Sequence, residues 1–238
     1  MEGENRRIAQ EIEDAVMERP YGFSVGGRRF YLYPVSLGKS ILLSRLMQGL
    51  EIDVESLARN ASLEALRVVA AHKAVACRII AYTTAKDKDE VLDSELIDSR
   101  LSFFSDNLSD DEIAQLLLII YQYDKTSSFI KHLGLDRDHK EQGKISRLKN
   151  KNGNTVMFGG KSVYGSLISV ACEKYGWTLD YVVWGISLVN LRMMLADSVT
   201  SIYLTDEEKK SARITTGQEI VSMDNPDNWA KVKAMKWD

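Results

Sequence analysis

The chain has 238 residues, 45% hydrophobic and 27% charged, with a net charge of −3. That balance allows one large domain or two small ones with an apolar interior of their own. It argues against the strongly basic footprint of a nucleic-acid wrapper, and no apolar run approaches the length of a membrane span.

Only Pro20, Pro34 and Pro226 interrupt the chain, and long Leu/Ala/Glu/Lys-rich stretches predict helices. Residues 5–18 carry Ile8, Ile12, Ala15 and Val16 at the spacing of a short amphipathic helix, which Pro20 ends. Residues 21–33 change character. Two β-prone runs flank Gly26-Gly27, the pattern of a hairpin with a primed turn. A lone hairpin is marginal in water, so it should pack on helices or join another sheet.

Ser36 can cap a helix to about Leu50, with Leu37, Ile41, Leu42 and Leu46 on one side. Asn60 or Ser62 starts a long helix to about Tyr82, apolar nearly all round and so expected at the centre of its bundle. A weaker helix is expected over 93–105. Ser109-Asp-Asp-Glu112 is a capping box before the apolar run IAQLLLIIYQY.

Residues 134–154 are polar, charged and glycine-punctuated, which reads as an exposed hinge. Beyond it, Ser162 or a neighbour opens a helix to Tyr175, stopped by Gly176. Thr178 restarts a short helix. Ser187 leads into a stripe of Leu188, Leu191, Leu195, Val199 and Ile202. Thr205-Asp-Glu-Glu208 resembles a second capping box. The expected organisation is an N-terminal helix (1–20), a hairpin plus helical bundle (21–133), the hinge (134–154), a small C-terminal helical part (155–210) and a flexible tail (211–238). The fold class is mainly α with one hairpin at about 22–33.

No motif for catalysis emerges. Gly38-Lys39-Ser40 and Gly160-Lys161-Ser162 invite a phosphate-loop reading, but the required first glycine is replaced by Tyr33 and Thr155. Each reads better as a turn into a helix with its lysine near the surface. His72, His132 and His139 lack partners at metal-ligand spacing, and Cys77 and Cys172 sit in apolar helical contexts as packing thiols. Acidic runs at Asp110–Glu112 and Asp206–Glu208 suit helix starts. No catalytic, cofactor or metal residue is assigned, and a non-enzymatic role is expected.

Two features could bind. Lys140, Lys144, Arg147, Lys149, Lys151 and Lys161 form a basic stretch, but it has no interleaved aromatics to stack on bases, so nucleic acid is the lesser reading. Tyr175, Trp177, Tyr181 and Trp184 fall within ten residues, with Met193 and Met194 close behind. That cluster is either a small core or an anchor surface for a partner protein, since Trp and Tyr dominate binding hot spots and Met adapts to varied surfaces. Trp229 and Trp237 in the tail are further candidate docking residues.

The order of parts resembles the tail assembly chaperones of long-tailed bacteriophages and prophages. The likeness runs over most of residues 20–204: the hairpin FSVGGRRFYLYP, a helical bundle, a charged hinge, then YGWTLDYVVWGISLVNLRMMLAD. Its sharpest point is Tyr175-Gly176-Trp177-Thr178. The resemblance implies a mainly helical protein that binds the tape measure protein and recruits tail tube subunits. It implies no cofactor and transfers no catalytic residue. Many members have a second domain supplied by a frameshift, whereas this chain carries both parts in one reading frame. The N-terminus, MEGENRRIAQEIEDAVMERP, lacks the apolar core of a secretory signal, so a cytoplasmic setting is expected, that of a bacterial host if the chain is phage-encoded. The alternatives are a structural tail or neck subunit whose hairpin extends a neighbouring sheet, and a nucleic-acid-associated protein using the basic stretch. Homo-oligomerisation is left open.

Overall fold

A computed structural model describes residues 2–122, 125–149, 162–198 and 202–205. The chain falls into two compact units, one of residues 1–139 and 157–199, the other of 140–156 and 200–238. Among the described residues the protein is mainly helical with a single two-stranded antiparallel hairpin.

Helix α1 (Glu2–Val16) precedes strands β1 (Tyr21–Val25) and β2 (Arg28–Leu32). Gly26 and Gly27 take φ of 53° and 74°, the left-handed conformation that a primed turn demands and that glycine adopts without strain. The turn sets Phe23 opposite Phe30. Both rings leave the hairpin on its inner face, beside the buried Val25 and Leu32.

They land on α6 (Ser94–Asn107), where the Phe30 and Phe104 rings meet edge-on at 4.8 Å and Phe103 lies 5.5 Å from Phe30. Such pairs add about 0.5–1.5 kcal/mol each beyond the apolar area they bury. The hairpin, marginal by itself, is thereby part of the core. The Tyr33 N–H donates to Thr83 O at 3.0 Å and ties the strand end to the bundle.

The centre of that bundle is α4 (Ala61–Thr84), which packs on α6, on α7 (Asp110–Tyr121), on α2 (Leu37–Gln48) and on α3 (Val54–Arg59). Asn60 caps it, and non-helical angles at His72 mark a kink. Its buried Val68, Val69, Ala76, Cys77, Ile79 and Ile80 face several sides, as expected for a nearly all-apolar helix. One carboxylate is buried with them. Glu64 accepts from the Asp53 N–H at 2.8 Å and from the Arg67 guanidinium at 2.7 and 2.8 Å, and these hydrogen bonds hold its carboxyl below the usual range. The Ser109–Glu112 capping box opens α7 as the sequence predicts.

Several elements differ from expectation. The short α3, α5 (Lys88–Leu92) and α8 (Thr126–His132) were not read from periodicity, because five to seven residues are too few to show it. Most of the segment expected as a hinge is helix α9 (Leu135–Lys149). Its polar surface signals solvent exposure rather than absence of structure. Helix α10 (Val163–Tyr175) starts at Ser162 and stops at Gly176 as predicted. The restart after Thr178 winds into a π-helical turn, Tyr181–Gly185, and α11 (Leu188–Ala196) ends short of Val199. The Asp197 N–H still donates to Met193 O, and the Ser198 hydroxyl turns back to Leu195 O at 2.8 Å, so the chain leaves the helix there. Residues 155–161, the rest of the capping box at 206–208 and the tail at 211–238 lie outside the described residues.

Candidate functional site

The aromatic cluster is arranged by a helix end. Gly176 adopts φ 67°, closes α10 through its N–H to Cys172 O at 3.0 Å, and turns the chain back. The reversal lays Trp177 against Tyr175, ring centres 4.7 Å apart, and the π-turn brings Tyr181 edge-on to Trp177 at 5.1 Å. The Tyr175 hydroxyl donates to Met194 O at 2.8 Å, and burial raises its pKa. Tyr181, Leu179 and Met194 are exposed beside this stack, forming an apolar ledge. Beneath it lies a small core of Ala171, Val182, Ile186 and Leu191.

Trp184 does not join the ledge. Its ring packs on the main core over Gly38, so closely that a β-carbon there would stand 2.6 Å from a ring atom. Met193 is buried, whereas Met194 is exposed. The structure therefore brings Tyr175, Trp177, Tyr181 and Met194 together and places Trp184 and Met193 inside. Trp229 and Trp237 lie outside the described residues.

The lysine of Gly38-Lys39-Ser40, expected near the surface, is buried. Gly38 is needed because Trp184 leaves no room for a side chain, and that contact helps enclose the helix start. The Lys39 ammonium donates to Ala85 O, at the C-terminal end of α4, with Lys86 O at 3.5 Å and the Tyr33 ring 5.8 Å away. Burial lowers its pKa to about 8, against the opposing pull of Glu90 and Asp87. This ammonium is committed to backbone carbonyls, which is a helix-capping duty. Ser162 of the second triplet caps α10 by accepting from the Gly165 N–H at 3.1 Å, while Gly160 and Lys161 lie outside the described residues.

Of the basic stretch, Lys140, Lys144 and Arg147 stand exposed on α9, at a spacing that shares one face; the Lys149 side chain, Lys151 and Lys161 lie outside the described residues. Among the described residues no three His, Cys, Asp or Glu side chains are grouped to hold a metal ion, and no helix is long and apolar enough to cross a membrane. Cys77 is fully buried and Cys172 half-buried, both as free thiols.

Sequence reading missed a cleft of about 510 Å³ in the first unit. Its walls come from α1, α2, the end of α7, α8 and the start of α11. Val35, Leu43, Met47, Ile120, Phe129 and Leu188 supply apolar surface. Glu11 and Lys125 pair at 3.0 Å, and Arg19 and Asp14 at 2.9 Å, so the charges lining it are matched. These residues come from five places in the chain, and no local pattern marks them. Only the amphipathic stripe of α1 hinted at an apolar surface opposite.

Nothing among protein-family models, curated proteins or solved structures matches this chain.

Proposed function

We propose that this chain is a non-enzymatic assembly chaperone or adaptor that holds an amphipathic helix of a partner protein. The observation that carries the reading is the cleft: about 510 Å³, mostly apolar, walled by helices, with its charges already paired. Helix-in-groove recognition needs such a trough, into which side chains at i, i+3, i+4 and i+7 insert. The ledge of Leu179, Tyr181 and Met194, resting on the half-buried Trp177 ring, supplies a second apolar surface of the composition that partner sites favour.

The resemblance to tail assembly chaperones makes a tape measure protein and a tail tube subunit the first partners to test. Co-expression of the chain with a tape measure candidate encoded nearby, followed by co-purification, is the experiment. A stable complex, weakened when Leu43→Asp or Met47→Asp charges the cleft, is the expected result. Failure to form a complex with either the tape measure candidate or the tube subunit would retire the proposal. Recovery of the chain in purified particles would favour a structural virion subunit instead.

A further inference from the structure

Helix α1 is amphipathic, yet among the described residues it contributes no buried side chain to either core. Ile8 and Ile12 are only half-buried, and Val16 is 59% exposed. An ion pair and a hydrogen bond help to seat the C-terminal half of α1. Glu11 meets Lys125 at 3.0 Å, and Asn190 Nδ2 donates to Val16 O at 3.4 Å. Just beyond the helix, Glu18 Oε1 accepts from the Ser187 N–H at 2.8 Å and from Asn190 Nδ2 at 3.2 Å, at the start of α11.

The connector, residues 17–20, holds Glu18 at φ 51°, a left-handed conformation that costs a residue with a β-carbon free energy. Next to this lightly held helix lies the apolar cleft, to which α1 itself contributes Glu11, Asp14 and Ala15. A helix seated by one partly exposed ion pair and a few hydrogen bonds, on a strained connector, beside an apolar cleft is easy to exchange for a better-fitting one.

We infer that α1 is a displaceable strap, one wall of the cleft that moves aside to admit the partner helix. The way α1 is held specifies that partner. When α1 leaves, Asp14 and Glu11 leave with it, while Arg19 stays in the connector and Lys125 remains on the cleft wall without Glu11. The entering helix therefore carries an apolar i, i+4 stripe and an acidic residue placed to meet Lys125. A helix with a basic residue at that place is disfavoured, because two cations would face each other. This inference rests on the helix-binding reading proposed above.

The test uses the full chain and needs no natural partner. Glu11→Lys sets two cations against each other and should open the strap. Because α1 lies outside both cores, the bundle stays folded. Amide exchange along α1 and the binding of an apolar fluorescent dye, anilinonaphthalene sulfonate, should each rise about two- to five-fold, the range that corresponds to losing an exposed ion pair. Combining Glu11→Lys with Lys125→Glu should restore both signals to those of the original chain. A synthetic peptide of residues 2–17 should displace the dye from the Glu11→Lys chain, and the same peptide with lysine at position 11 should not. Unchanged exchange and dye binding in Glu11→Lys, or no recovery in the double variant, would overturn the strap. An opening strap in a chain that binds neither tail candidate would instead retire the proposed partners. Partner binding with an immobile α1 would keep the partners and remove the strap.

Discussion

Phe104 sits fully buried among the rings of Phe23, Phe30 and Phe103, in a core that joins the hairpin to α2, α4, α6 and α7. Leu191 is equally buried, but it shares its core with only Ala171, Val182 and Ile186 as fully enclosed neighbours. The small core is joined to the bundle by the Trp184 ring on Gly38, the Leu188 N–H to Val35 O at 2.8 Å, a β-bridge between Ser36 and Ser187, hydrogen bonds from Ser187 and Asn190 to Glu18, and an ion pair between Lys88 and Asp180. A core with many mutually supporting neighbours opens as a whole. One held by a handful opens locally, at lower free energy. Elements that bind partners are commonly drawn from the second kind.

The largest effect should therefore separate the two regions. Phe104→Ala is expected to destabilise the whole bundle by about 3–5 kcal/mol, because packed rings cannot collapse into the space left behind. Leu191→Ala removes less volume and should act locally. Amide exchange should show α10 and α11 losing protection while α4 and α7 keep theirs. Equal loss of protection in all four helices would mean that the cores form a single cooperative unit.

Next in size is Lys39, which sits where the two regions meet. Between about pH 8 and 10.5 the folded chain has already lost a proton that the unfolded chain still holds. Stability from this group is thus lowest below the folded value and rises with pH across that window, by up to about 3 kcal/mol. Lys39→Met should remove the rise. Denaturant midpoints of the two proteins across that range check it, and parallel pH curves would refute the assignment.

Gly38→Ala probes the join itself. The added methyl meets the Trp184 ring, for an expected loss of about 1–3 kcal/mol in thermal stability. The loss should vanish in a Trp184→Leu background; a penalty that persists there would place the conflict elsewhere. Smallest is Gly176→Ala, about 1 kcal/mol from the left-handed backbone alone. It should loosen the Tyr175–Trp177 stack while leaving the hairpin and bundle untouched, as near-ultraviolet dichroism and the exchange pattern of α4 would show.

How much of this was legible beforehand follows from the range of each interaction. Caps, glycine stops and the primed turn act within a few residues. Asn60, Ser109, Ser162, Gly176 and Gly26-Gly27 therefore announced their roles in the sequence, and helical periodicity announced the central place of α4. Composition along residues 135–149 did not announce the helix there, since a solvated helix and a hinge share the same polar residues. The sequence by itself determined the helical class, the hairpin and most helix boundaries, because those depend on local backbone chemistry and on the period of apolar side chains. Only the tertiary structure decided that Trp184 turns inward onto Gly38, that Lys39 is buried at the end of α4, and that Glu11, Leu43, Phe129 and Leu188 share one cleft. Those facts depend on contacts between residues far apart in the chain, and no local pattern encodes which distant surface a side chain will meet.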